Sequence, residues 1–172
     1  LSGESSSRTN LELPESQKKL IRALKKTGKP LILVLMSGRP LILNEEHDLA
    51  DAILLSWHPG TEAGNAISDV LFGAYNPSGK LTVSFPRSVG QIPVYYNHKN
   101  TGRPATKIEF EKFRSHYLDA SNFPLFPFGF GLSYTTFEIG KATPDKTQIK
   151  PDESVRLTIP VSNTGKREGS EI

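Results

Sequence analysis

The chain has 172 residues, 36% of them hydrophobic and 23% charged, enough apolar material for one ordinary core and the start of a second. That balance excludes wholesale disorder, and no apolar run approaches the roughly 18 residues that a membrane-spanning helix needs. A formal charge of +3, from 21 Lys+Arg scattered among 18 Asp+Glu, gives nucleic acid no concentrated basic footprint.

In chain order, Pro14-Glu15 suits the first turn of a helix, where proline loses no hydrogen bond and an acid faces the positive dipole end. Leu20, Ile21 and Leu24 supply its apolar stripe, and Lys25, Lys26 and Gly28 mark its end. Residues 31–36 are an unbroken apolar run, which predicts a strand covered on both faces as parallel strands are; Gly38 and Pro40 stop it. A polar helical stretch over 44–51 leads to a second buried strand over 52–57, closed by Pro59-Gly60. Thr61 is placed to cap a helix running to about Phe72, with Ala66, Ile67, Val70 and Leu71 at helical spacing and Gly73 as its stop. Two buried strands flanking a helix on a roughly 20-residue spacing predict a right-handed βαβ layer, hence an α/β domain.

Beyond Asn76-Pro77-Ser78-Gly79 the character changes. Residues 80–134 are rich in Pro, Gly and aromatics, and Pro86, Pro93, Pro104, Pro124 and Pro127 bar long helices. A segment of this length is expected to be functional or docked against another domain. Over 154–160 a period-2 alternation puts Val155, Leu157 and Ile159 on one face of a strand, and Asn163-Thr164-Gly165 follows as a turn. The sequence stops at Ile172, leaving that face too few partner strands for an independent sandwich, so it reads as a severed domain. At the other end, Leu1 in place of Met and the lack of a secretory-type leader predict that the true start lies elsewhere.

Much chemistry is unsupported. Without cysteine there are no disulfides, thiolate nucleophiles or Cys-zinc sites. Gly73 to Lys80 has five residues between its glycines and Leu81 where a phosphate loop needs Ser or Thr. Gly129-Phe130-Gly131 lacks the third glycine of a dinucleotide turn. His47, His58, His98 and His116 show no short metal-ligand spacing, and no Gly-x-Ser-x-Gly elbow occurs. No cofactor and no metal are expected.

One loop stands out. In Ser2-Gly3-Glu4-Ser5-Ser6-Ser7-Arg8 a carboxylate sits beside glycine in a polar stretch, which by itself reads first as an exposed surface loop with Arg8 as a surface charge. The remaining motifs give it weight: Thr27-Gly28-Lys29-Pro30, Gly38-Arg39-Pro40, Trp57-His58-Pro59-Gly60-Thr61-Glu62-Ala63-Gly64, Val70-Leu71-Phe72-Gly73 and Asn76-Pro77-Ser78-Gly79-Lys80-Leu81 follow in order. With Ser84-Phe85-Pro86, Gly90-Gln91-Ile92-Pro93, Tyr95-Tyr96-Asn97-His98, Asn100 to Pro104, Tyr117-Leu118-Asp119 and Pro127 to Tyr134, they closely resemble the second domain of glycoside hydrolase family 3, in its periplasmic β-glucosidase branch.

The resemblance implies a three-layer α/β sandwich with a mostly parallel sheet over 1–134, its N-terminal edge missing, followed over 135–172 by the truncated start of a fibronectin type III-like β-sandwich. It implies that Glu4, on the family's Gly-Glu motif with Arg8 four residues later, is the general acid/base of a retaining β-glycosidase. The aspartate nucleophile belongs to an N-terminal TIM barrel, which is the missing partner domain. The implied activity is hydrolysis of terminal non-reducing β-D-glucosyl residues from a β-linked oligosaccharide or glucoside, with β-xylosidase the nearest variant, in a periplasmic or secreted protein. Neither nucleic acid nor membrane is an expected partner. The reading from another class is a noncatalytic carbohydrate-binding or interdomain scaffold unit.

Other marked residues carry two readings each. Glu62 is the rival carboxylate, but an acid at a helix start is favoured for structural reasons. Trp57 is placed either to stack on a sugar or to fill the core. Asn97-His98 and Thr101-Gly102-Arg103 offer donors to a cleft or to local structure. Phe126, Phe128, Phe130 and Tyr134 are expected to pin the long segment onto a neighbouring surface.

Overall fold

The computed structural model describes residues 5–105 and 111–172. The chain divides into two compact units, one drawn from residues 1–67 and 81–130, the other from 68–80 and 131–172.

The first unit opens with α1 (Glu15–Lys25), which carries Glu15 in its first turn and Arg22 and Lys25 in its last, complementing the helix dipole at both ends. Pro14 stands just outside the helix, its carbonyl accepting from the Gln17 and Lys18 amides at 2.9 and 3.2 Å. Gly28, at φ +70°, ends it as expected of a left-handed stop. Of the predicted stripe only Ile21 is buried, while Leu20 and Leu24 stay exposed.

Next come β1 (Ile32–Leu35), α2 (Asn44–Leu49) and β2 (Ala52–Leu55), the predicted order, with the two strands parallel and Ile32 opposite Ala52, Leu35 opposite Leu55. Asp51 joins their starts: its amide donates to the Leu31 carbonyl, and the Leu31 amide donates to its carboxylate, both at 2.8 Å. Arg22 ties α1 to α2 by donating from Nε and Nη2 to the two oxygens of Glu45 at 2.5 and 2.6 Å. This two-pronged geometry holds the guanidinium above its ordinary pKa and Glu45 below its own.

The core forms two clusters. Ile21, Leu31 and Leu33 make one, and Leu35, Leu43 and Phe85 the other, with Leu13 and Ile53 packed against both. Among the described residues β1 is fully buried on one face only: on the other, Ile32 is 50% exposed and Val34 half-buried, and Met36 just past the strand is 61% exposed. The expectation of cover on both faces is corrected to that extent: the side bearing Leu31, Leu33 and Leu35 carries the contacts.

The Pro-rich segment is docked within its own unit. Leu81 and Phe85 pair with residues 125–130, the Leu81 amide donating to the Phe130 carbonyl and the Phe85 amide to the Phe126 carbonyl at 2.8 Å each. Phe126 lies edge-on to Phe85 at 6.2 Å and 5.1 Å from Phe130, while Phe128 stacks on Tyr96 at 4.6 Å. Buried Gln91 fastens the 87–91 turn, accepting from the Arg87 amide and donating to the Ser121 carbonyl at 2.6 Å each.

Helix α3 (Ala63–Leu71) runs from the first unit into the second and stops at Gly73, φ +79°, as predicted; it begins two residues past Thr61. In the second unit β3 (Phe137–Ile139) pairs antiparallel with β6 (Val161–Asn163), and β4 (Thr143–Pro144) with β5 (Leu157–Thr158). Of the strand predicted over 154–160 only Leu157–Thr158 is a strand; β6 begins past Pro160, which has no amide to donate, and reaches Asn163, where the turn was expected to start. Asn76 is the hub of this unit: its Oδ1 accepts from the Tyr134 amide at 2.7 Å and the Ser133 hydroxyl at 2.9 Å, and its Nδ2 donates to the Glu168 carbonyl at 2.9 Å. Tyr134 donates its hydroxyl to the Val70 carbonyl at 2.8 Å and lies beneath the Arg167 guanidinium, which in turn donates to the Gly73 carbonyl.

Candidate active site

In an open α/β layer, ligands gather outside the carboxyl ends of parallel strands. Here the loops leaving β1 and β2 interlock. The Ser56 amide and hydroxyl both donate to the Leu35 carbonyl, at 2.9 and 3.1 Å, joining the two strand ends. Ser37 folds the first loop on itself, donating its hydroxyl to the Arg39 carbonyl at 2.9 Å and accepting from the Arg39 amide at 3.3 Å. Gly38 lies under the His58 ring so closely that a Cβ would fall 2.3 Å from His58 Nε2. A side chain at position 38 would require the exposed His58 ring to move aside.

Trp57 produces the approach. It has φ +52°, a left-handed backbone that a bulky residue adopts only under constraint, and this turns the chain so that His58 crosses Gly38. The constraint is its indole, packed on the Leu35–Leu43–Phe85 cluster with its ring 6.0 Å from Phe85. Trp57 therefore serves the core and shapes the loop together.

The segment that follows Glu4 runs against these loops. The Arg39 guanidinium donates from Nη1 to the Arg8 carbonyl at 3.0 Å, the Ile42 amide donates to the Leu11 carbonyl at 2.9 Å, and Glu12 bridges to Ile42 in parallel. Glu12 also accepts from Lys18 Nζ at 2.6 Å, which raises the lysine's pKa. Glu4 itself lies outside the described residues.

The rival carboxylate is engaged elsewhere: Glu62 accepts from Asn65 Nδ2 at 2.8 Å through its side chain and from the Ala66 amide at 3.0 Å through its carbonyl, heading α3. His98 bonds locally to the Tyr95 carbonyl through Nδ1 at 3.1 Å, Thr101 donates to the Ser115 hydroxyl at 2.9 Å, and the Arg103 carbonyl accepts from the Ser115 amide at 2.7 Å. These residues build their own loop. No role is assigned to Arg39 or Ser37 from the sequence: Gly38-Arg39-Pro40 reads as a strand stop and as one of the motifs of the resemblance, and no local pattern announces a contact 31 residues away.

The Glycosyl hydrolase family 3 C-terminal domain profile matches residues 1–134. A periplasmic beta-glucosidase of Salmonella typhimurium is 60% identical over 98% of this chain and 22% of its own length. A beta-xylosidase of Formosa agariphila is 44% identical over 99% of the chain and 22% of its own length. Among solved structures, the beta-glucosidase of Listeria innocua in complex with isofagomine superposes with a TM-score of 0.87 at 46% identity, over 94% of this chain and 22% of that one. The chain thus spans about a fifth of the length of the relatives it matches. With a matched profile over most of its residues and the same fold in a solved relative, this chain belongs to the glycosyl hydrolase family 3 C-terminal domain family.

Proposed function

We propose that this chain works as the acid/base-bearing part of a retaining β-glycosidase, a β-glucosidase that releases terminal non-reducing β-D-glucosyl residues, and that Glu4 is its general acid/base. The observation that carries this reading is the 60% identity over 98% of the chain to a relative named a periplasmic beta-glucosidase. The same relative's name supports a periplasmic or secreted location. β-Xyloside hydrolysis is the nearest variant, supported by the 44% identical relative named a beta-xylosidase.

Retention requires two carboxyl groups roughly 5 Å apart across the scissile bond. In this reading Glu4 supplies one and an aspartate on a TIM barrel supplies the other, the barrel and this chain together forming the complete enzyme. Glu4 first gives its proton to the glycosidic oxygen while the aspartate attacks the anomeric carbon, and the leaving group departs as an alcohol. Glu4, now a carboxylate, then takes a proton from water, whose oxygen displaces the aspartate. The first step needs a protonated carboxyl at neutral pH, which partial burial in a closed cleft provides by penalising the charged form. In this reading residues 1–134 belong to a three-layer α/β sandwich, and residues 135–172 begin a fibronectin type III-like β-sandwich.

The test is Glu4→Gln in the complete enzyme. Hydrolysis of cellobiose, whose sugar leaving group needs protonation, should fall by roughly 10²–10⁴-fold. Turnover of cellobiose at the parent rate would refute the assignment.

A further inference from the structure

From the packing of α1 on α2 we infer that Glu46 holds an ordered internal water, which its carboxylate shares with Lys18. The site lies apart from Glu4 and does not depend on the role proposed for it.

Three observations lead to this water. First, Glu46 is a carboxylate inside the core. It is 2% exposed and stands on the inner side of α2, between Leu43, three residues before it in one core cluster, and Ala50, four residues after it and packed against the other. A glutamate so buried is ordinarily met by a cation or by donors. Second, that need is open at one atom: Oε1 is sealed from solvent, and among the described residues nothing donates to it. Because the side chain is already closed off within this chain, no group on a further domain reaches it, and the donor has to be small enough to sit inside. Third, a cation with hydrogens left over stands close by. Arg22 forks onto Glu45, the residue before Glu46, and Lys18 lies one turn before Arg22 on the same side of α1. The Lys18 side chain is only 13% exposed and uses one of its three N–H groups on Glu12 at 2.6 Å. That bond comes first in holding the lysine above its ordinary pKa, and the charge of Glu46 contributes behind it.

The chemistry selects water. Lys18 senses the Glu46 charge, yet no direct hydrogen bond joins it to Oε1. Two charged groups shielded from bulk solvent and set wider than a hydrogen bond are bridged by a water, which accepts from Nζ and donates to Oε1. A metal ion would face the Lys18 ammonium, and among the described residues no group of three or more His, Asp or Glu is placed to hold one. Through Lys18 the bridge joins α1 and α2 to the segment that carries Glu12.

The test is a crystal structure of the full-length protein at a resolution that orders internal waters. One water within about 2.5–3.2 Å of both Glu46 Oε1 and Lys18 Nζ is expected. Oε1 bonded directly to a protein group, a water that touches Oε1 without Lys18, or no ordered density within that distance would overturn the site.

A second arm reads the coupling in solution. Hydrogen exchange is followed in the peptide spanning residues 44–50, whose Ala50 amide donates to the Glu46 carbonyl at 2.9 Å. Lys18→Met alone leaves the buried carboxylate without its charged partner, and exchange should speed up by about tenfold to 10²-fold. In a Glu46→Met background the same substitution should change exchange by less than about threefold, because two apolar side chains need no water between them. Equal acceleration in both backgrounds, or none in either, would overturn the shared water. The crystallographic arm uses the unmodified protein and decides the case even where a variant fails to fold.

Discussion

Phe85 is the residue on which the first unit turns, and its truncation gives the sharpest energetic forecast. Its side chain is 2% exposed, packs on Leu35 and Leu43, and lies near the rings of Trp57 and Phe126 at 6.0 and 6.2 Å. Full burial of a phenylalanine contributes about 1.5–3 kcal/mol by transfer from water, and the cavity left by truncation raises the cost of Phe→Ala to about 3–5 kcal/mol. Each tilted aromatic pair adds about 0.5–1.5 kcal/mol within that range, so the upper half applies here. We expect Phe85→Ala to cost about 4 kcal/mol and Phe85→Leu, which refills much of the space, about 1–2 kcal/mol. Urea denaturation followed by tryptophan fluorescence reports this directly, because Trp57 is the one tryptophan and touches the site. With m near 2 kcal/mol/M the midpoint should fall by about 2 M. Phe72→Ala serves as control: at 88% exposed it should move stability by less than about 0.5 kcal/mol. A loss below about 1 kcal/mol for Phe85→Ala would show that the 81–85 segment is not seated on β1 as described.

Asn76→Ala should destabilise the second unit by about 2–3 kcal/mol, since it strips partners from three groups, while Asn76→Asp, which keeps both accepted bonds, should cost less; differential hydrogen exchange at Tyr134 separates the two. The Leu31 amide, then Lys25, hold the Asp51 carboxyl below its ordinary value of 3.8. Its folded-state pKa being the lower, Asp51 stabilises the fold above about pH 4 and loses that effect as pH falls through the depressed value; Asp51→Asn should flatten the acid limb of a stability titration there and nowhere else. Assayed without a barrel, the isolated chain should show no hydrolysis of an aryl β-glucoside, and activity that Glu4→Gln abolishes would contradict the two-part site. In the complete enzyme Glu62→Gln should leave kcat/KM on cellobiose within about twofold, as befits a carboxylate engaged with Asn65.

The sequence announces its regular elements through local chemistry. Gly28 and Gly73 stop helices at positive φ, and the apolar runs around Leu33 and Ile53 become a parallel pair in the predicted order. Composition does not disclose which faces are covered: Ile32 and Met36 belong to the same apolar run as Leu33 yet stand exposed, because burial depends on what packs opposite and not on the run itself. Nor does a linear pattern reveal contacts made by backbone carbonyls. Arg39 reaching Arg8, and Asn76 gathering Ser133, Tyr134 and Glu168, join residues 31 to 92 positions apart through groups that every residue type possesses. The role proposed for Glu4 rests on the family resemblance carried by the order of many motifs across the chain, since one carboxylate in a polar loop carries no chemistry of its own.

The most direct measurement is a crystal structure of the complete enzyme holding an uncleavable β-glucoside across the cleavage point. A Glu4 carboxyl oxygen within about 2.6–3.2 Å of the interglycosidic atom is the predicted outcome. Finding another carboxylic acid in that place, with Glu4 facing bulk water, would contradict the account.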